Sequence, residues 1–178
     1  MQAREVVEDA DPRVGELLEF WYAARGGNRF PAQKDLDLSS VPRLLPNLYI
    51  LDVLPGPDFG YRFIGTKIDE HMGVSLTGKR FSQARSGRIL HEITNFFSHV
   101  ASRGVLGLLA TRLPSEKFEW VRYTRLGLPL ADDHETVNKI LGLYLFDLVC
   151  DEMHQTPNVD DLDQSELGEV VYRFGALD

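Results

Sequence analysis

Apolar residues near the start of the chain recur at helical spacing. Val14, Leu17, Leu18, Trp21 and Ala24 lie between an Asp11-Pro12 start and a Gly26-Gly27 stop. Aspartate can accept a backbone N–H as N-cap, and proline at the first helical position lacks only a donor that would go unpaired there. The pattern predicts a helix with one face in need of cover. The next stretch, NRFPAQKDLDLSSVPRLLPNL, is broken by Pro31, Pro42 and Pro46, so it predicts loop and a short helical turn around Val41 to Leu45. The period then changes. LYILDVL (Leu48 to Leu54) and FGYRFIG (Phe59 to Gly65) predict two strands joined by the turn chemistry of PGPD.

TKIDEHM predicts a short helix, with Thr66 as N-cap, Asp69 as its capping-box partner and Gly73 at the C-terminal cap. SGRILHEITNFFSHVASRG, Ser86 to Gly104, gives the clearest helix. Ile89, Ile93, Phe96, Phe97 and Val100 form one stripe, with His91, Asn95, Ser98 and Ser102 opposite. Three strand patterns come next, Val105 to Leu113, Phe118 to Pro129 and Val137 to Val149, joined by the short polar segments PSEK and ADDHET. Short joins favour antiparallel neighbours. The order is that of an α+β fold with an antiparallel sheet, not the βαβ alternation of nucleotide-binding folds. The reading divides the chain into a helix and proline-rich lead-in (1–47), a core (48–149) and an acidic tail (150–178), in which EVVYRF could add a strand.

Composition narrows the function. The chain has 178 residues, 43% hydrophobic and 26% charged, as an ordinary folded domain does. Its formal net charge of −8, from 19 basic and 27 acidic residues, opposes binding to nucleic acid or anionic lipid. The single cysteine, Cys150, cannot form an internal disulfide, no N-terminal signal pattern is visible and no apolar run approaches a membrane span, so a cytoplasmic location is expected.

Gly73-x-x-x-x-Gly78-Lys79 imitates a phosphate-binding loop. A working loop follows a buried strand, precedes a helix and carries Ser or Thr after the lysine to hold magnesium. Here Arg80 takes that last position and a short helix precedes the loop. The glycines read as structural: Gly65 turns strand into helix, Gly73 ends it and Gly78 permits the next turn. The succession of FGYRFIGT, a short helix ending at Gly73, VSLTGKRF, a longer helix and three strands resembles the PAS domain. Trp21, Pro31 and Leu44-Leu45-Pro46 are similar to the lead-in of a stand-alone proteobacterial PAS-like group, and the resemblance spans about Asp11 to Val149.

The resemblance implies a five-stranded antiparallel sheet with the short helices and the long helix on one face, a small apolar or aromatic ligand between them, and a non-enzymatic sensory or regulatory role. Strand alternation puts Phe59, Tyr61 and Phe63 on one face and Ile64 on the other. The candidate ligand-lining set is Tyr61, Phe63, Ile68, His71, Met72, Ile93, Phe97, Leu108, Trp120 and Tyr144. The bland reading of the same residues is core packing. The rival function is an interaction module with a filled core. With no kinase, cyclase or DNA-binding module later in the chain, output is expected to pass through a partner protein or a change of assembly. A homodimer through Leu17, Leu18 and Trp21, taken as an apolar face outside the core, is what the resemblance implies.

Other chemistries are weaker. His91 is expected to face solvent, His99 lies off the apolar stripe, and His71 is the better candidate for a haem ligand, yet haem is disfavoured. A photochemical flavin adduct is disfavoured because Cys150 comes after the last strand. No histidine pair has structural zinc spacing, so no metal is expected. GVSLTG lacks the glycine of a nucleophile elbow, and ADDHE reads as a solvated turn, so no catalytic residue is assigned.

Overall fold

The computed structural model describes residues 1–84, 87–114, 120–148 and 170–177, with side chains described over 1–84, 87–111, 122–146 and 170–177. Helix α1 (Ala3–Val7) is followed by α2 (Pro12–Arg25), whose N-cap Asp11 accepts from the Arg13 N–H. Single 3-10 turns at Gln33–Asp35, Leu38–Ser40 and Leu45–Asn47 carry the proline-rich lead-in. Then come β1 (Leu48–Leu54), β2 (Asp58–Ile64), α3 (Thr66–Met72), α4 (Phe81–Ala84), α5 (Gly87–Arg103), β3 (Leu106–Pro114), β4 (Trp120–Leu130), β5 (Lys139–Leu148) and β6 (Val170–Gly175).

The strands form one antiparallel sheet in the order β2-β1-β5-β4-β3-β6. The sheet therefore has six strands, not five, because the end of the acidic tail pairs with β3 as an edge strand. The pattern EVVYRF allows this strand, but the five-stranded expectation leaves it outside the core.

Both faces of the sheet are covered, and strand alternation sorts the residues between them. On one face Leu48 and Ile50 of β1, Leu126, Leu128 and Leu130 of β4 and Leu141, Leu143 and Leu145 of β5 pack with Val14, Leu17, Leu18 and Trp21 of α2. The Trp21 Nε1–H donates to the Pro129 carbonyl at 2.8 Å, so the one polar atom of that side chain is satisfied where its ring is fully buried. The expectation of an apolar α2 face outside the core is corrected here. Leu17, Leu18 and Trp21 are at most 1% exposed and are spent on the chain's own sheet, so they offer no dimer surface.

The other face carries Tyr49, Leu51, Phe59, Tyr61, Tyr123 and Tyr144, and α3, α4 and α5 lie over it. Ile93, Phe96, Phe97 and Val100 of α5 point into this layer, while His91 and Asn95 are exposed and hydrogen-bonded to each other. Glycines let backbone and ring come close. A Cβ on Gly142 would lie 2.0 Å from the Leu126 carbonyl oxygen and 2.4 Å from the Tyr49 hydroxyl, and one on Gly65 would lie 2.2 Å from the Leu45 carbonyl oxygen. Gly65, not Thr66, is the N-cap of α3, and Asp69 accepts from the Leu76 N–H beyond the helix instead of closing a capping box. Gly73 ends α3 in the left-handed region, φ 66°, as its position predicts.

Candidate functional site

A cavity of about 30 Å³ lies between α3–α5 and the sheet. Of the ten residues predicted to line a ligand site, Tyr61, Ile68, Ile93, Phe97 and Tyr144 surround it. Tyr49, Leu51, Ile64, Leu76, Phe81 and Arg125 complete the wall. Such a volume has room for one or two water molecules, far below the roughly 300 Å³ or more of a pocket that holds a drug-sized ligand.

The other predicted residues fall elsewhere. Phe63 packs with the leucine-rich layer, and Ile64 takes the cavity side. The cause is a register shift: Ile50 pairs with Phe63 while Leu51 pairs with Tyr61, so Arg62 is the extra residue of a bulge and the alternation inverts across it. Leu108, 6% exposed, belongs to the opposite face, where it lines an open groove of about 440 Å³ with Ala110, Arg122 and Val171. Its neighbour Gly107 faces α5 instead, because a Cβ there would meet Val100 and Phe96 within 3 Å. The Trp120 side chain lies outside the described residues, as do Cys150 and the stretch NVDDLDQSE.

His71 and Met72 are buried in the same layer but behind the cavity wall. His71 is 1% exposed, stacks on Phe146 at 4.1 Å between ring centroids, and shares a 3.0 Å hydrogen bond between Nε2 and the Tyr123 hydroxyl. A ring nitrogen so engaged is tied to protein rather than presented to an iron. Among the described residues no group of three or more His, Cys, Asp and Glu could hold a metal ion.

Arg125 is the residue that sequence reasoning missed. On β4 it alternates with Leu126, Leu128 and Leu130, which reads as a polar outer face, yet α5 covers that face too. It sits directly across from Tyr144 on β5, and its guanidinium carbon lies 4.2 Å from the centre of that ring. The residue is partly buried and keeps part of its surface accessible. Burial is the largest influence on Arg125 and acts to lower its pKa, the surrounding tyrosines oppose it and the net direction is upward, and a guanidinium is charged in any case. Burial also pushes the Tyr49 phenol far above its ordinary range, which keeps it neutral. That hydroxyl donates to the Leu126 carbonyl at 2.5 Å.

Among the described residues the cavity wall contains no carboxylate. The Arg125 guanidinium makes no hydrogen bond or ion pair with any described residue, and the Tyr144 hydroxyl makes no hydrogen bond with one. Arg125 is only partly buried, so its charge keeps some contact with water, and the cation–π contact with Tyr144 adds about 1 kcal/mol. The aromatic layer thus has a cation with unused hydrogen-bonding capacity at its edge with the cavity. Among the described residues the buried polar side-chain atoms without a hydrogen-bond partner are the hydroxyls of Thr94 on α5 and Thr111 on β3 and, on α2, Nε of Arg25.

The glycine loop bonds to the protein itself. The Gly78 N–H donates to the Tyr61 carbonyl at 2.7 Å, and the Tyr61 N–H donates to the Lys79 carbonyl at 2.9 Å. The N–H groups of Gly73, Leu76, Lys79 and Arg80 are likewise taken, by Glu70, Asp69, Leu76 and Gln83. A phosphate cradle needs such donors free.

In comparison with known proteins, a family model described as PAS domain matches residues 11–145. No curated protein and no solved structure matches the chain. The matched span runs from the N-cap of α2 into β5 and takes in every residue of the cavity wall.

Proposed function

The chain belongs to the PAS domain family, and from that premise we propose that it is a non-enzymatic sensory or regulatory module whose small cavity takes a ligand and whose output passes through protein contacts. The observation that carries this reading is the convergence of α3, α4, α5 and four strands on one cavity with a polar centre. A core that only filled space would have no use for a partly buried arginine at the wall. The ligand must be small, or must displace side chains as it enters, given a resting volume of about 30 Å³.

That same volume favours a second reading, an interaction module with a filled core. The two separate on one variant. Ile93→Phe places a ring where the cavity wall now stands. If the cavity serves a ligand, the variant keeps the parent's thermal stability and loses a small molecule that native mass spectrometry detects with the parent. If the variant is clearly less stable and the parent carries no bound molecule, the interaction module is the function. Dimerisation, if it serves output, needs a surface other than the buried face of α2.

A further inference from the structure

Resting on the ligand-cavity reading, we propose that the ligand is a small monocarboxylate with a short apolar tail, its carboxylate paired to the guanidinium of Arg125. The chemistry is set by what the cavity offers. A guanidinium has five N–H donors and no acceptor, in a fork that matches a carboxylate edge with two parallel bonds. Arg125 engages Tyr144 through its face only, and none of its donors meets a described residue. The Tyr144 hydroxyl is a further polar atom at the wall without a described partner.

Size and sign narrow the class further. A negative ligand would cancel the one formal charge among the described wall residues, where no described carboxylate does so. About 30 Å³ admits little more than a planar headgroup, so the tail has to displace wall side chains as it enters, and a tetrahedral phosphate or a dicarboxylate would have to displace more. Apart from the hydroxyl of Tyr49, which is spent on the Leu126 carbonyl, and that of Tyr61, the remaining wall is apolar, with Ile68, Leu76, Ile93 and Phe97 among it, so the rest of the ligand beyond its headgroup is mainly hydrocarbon. Burial in such surroundings strengthens an ion pair that water would weaken.

The test is a titration of the whole chain, monitored by amide NMR shifts, with butyrate, its neutral isostere butyramide and inorganic phosphate. Wild type, Arg125→Met and Arg125→Lys are compared. Butyrate is expected to bind wild type at least tenfold more tightly than butyramide and phosphate, with the shifts centred on Tyr49, Ile93, Arg125 and Tyr144. In Arg125→Met that preference should fall to less than twofold, and Arg125→Lys, which keeps the charge but not the fork, should recover part of it. Equal binding of butyrate and butyramide would sink the carboxylate assignment and leave the ligand cavity standing. Binding of neither, or shifts away from those residues, would overturn both. Tighter binding of phosphate than of butyrate would replace the class. Should Arg125→Met fail to fold, the wild-type comparison and Arg125→Lys decide the matter.

Discussion

The two faces of the sheet use the same strands and alternate residues, yet they are built on different terms. The face under α2 is aliphatic, with Leu126, Leu128, Leu130, Leu141, Leu143 and Leu145 presented in rows; the fully buried Trp21 has its N–H satisfied by Pro129, and the one buried polar atom there without a described partner, Nε of Arg25, belongs to a side chain at the rim that stacks on the Trp21 ring. The face under α5 is aromatic. It carries four tyrosines, a histidine and an arginine, and there the Arg125 guanidinium and the hydroxyls of Tyr144, Thr94 and Thr111 have no described hydrogen-bond partner. Interiors normally pair their buried polar groups. One face therefore closes the fold, and the other holds capacity in reserve.

The contrast breaks first where the aliphatic side is emptied. Trp21→Ala removes a fully buried ring and orphans the Pro129 carbonyl; urea unfolding should show a loss of about 3–5 kcal/mol. A loss under about 1 kcal/mol would mean that α2 is not part of the fold's foundation. Overpacking sharpens the comparison next. Leu128→Phe enters the leucine layer and should lose about 1–3 kcal/mol, whereas Ile93→Phe, at the cavity wall, should lose less than about 1 kcal/mol. Equal losses would erase the distinction between the faces.

A smaller effect concerns the cap that seats α2. The Arg13 side chain, hydrogen-bonded to Asp11, holds its carboxyl below the ordinary range, with partial burial opposing and the Arg13 N–H assisting. A lowered folded pKa stabilises above the unfolded value, about pH 4, and this contribution fades as pH falls through the lower folded value. Asp11→Ala should lose about 1 kcal/mol near neutral pH. The stability gap between wild type and Asp11→Asn, which retains a cap oxygen but not the charge, should shrink between about pH 7 and about pH 3. A gap that widens in acid would contradict the assignment. The smallest change is expected at the aromatic centre. Arg125→Met exchanges a partly buried charge without a described ion-pair partner for an apolar chain and forfeits one cation–π contact, so unfolding free energy should move by no more than about 1 kcal/mol in either direction. A loss of about 3 kcal/mol would show that the arginine is held for structure.

Much of this arrangement is legible in the sequence. The capped α2, the helical stripe of Ile93, Phe96, Phe97 and Val100, and the turn glycines come from local chemistry, and the succession of helices and strands sets the α+β class. Local pattern does not convey which side of the sheet a residue meets. Phe63 and Ile64 exchange faces because a single bulge residue, Arg62, shifts the period, and nothing in FGYRFIG marks it. Leu108 looks central and is central, but on the leucine side, since the glycine beside it is the one that α5 touches. Arg125 is hidden for a related reason. A charged residue among alternating leucines signals solvent only when one face of the sheet is bare, and here α2 and α5 cover both. The clue in the chain is Tyr123, Arg125 and Gly127 in alternation, a polar row ending in a glycine small enough to let the Phe97 ring approach.

The stretch that imitates a phosphate loop also shields a strand. By bonding to both the N–H and the carbonyl of Tyr61, Gly78 and Lys79 lie along the outer side of β2, the strand at the sheet's end, and Gly60 and Arg80 form a bridge beside them. An open strand edge is a template for another chain, the first step of sheet-to-sheet aggregation. Here that template is already occupied at its middle by the protein itself. A foreign strand could not be added at Tyr61 until the loop had peeled away, so the loop acts as a guard against misassembly on that flank of the molecule.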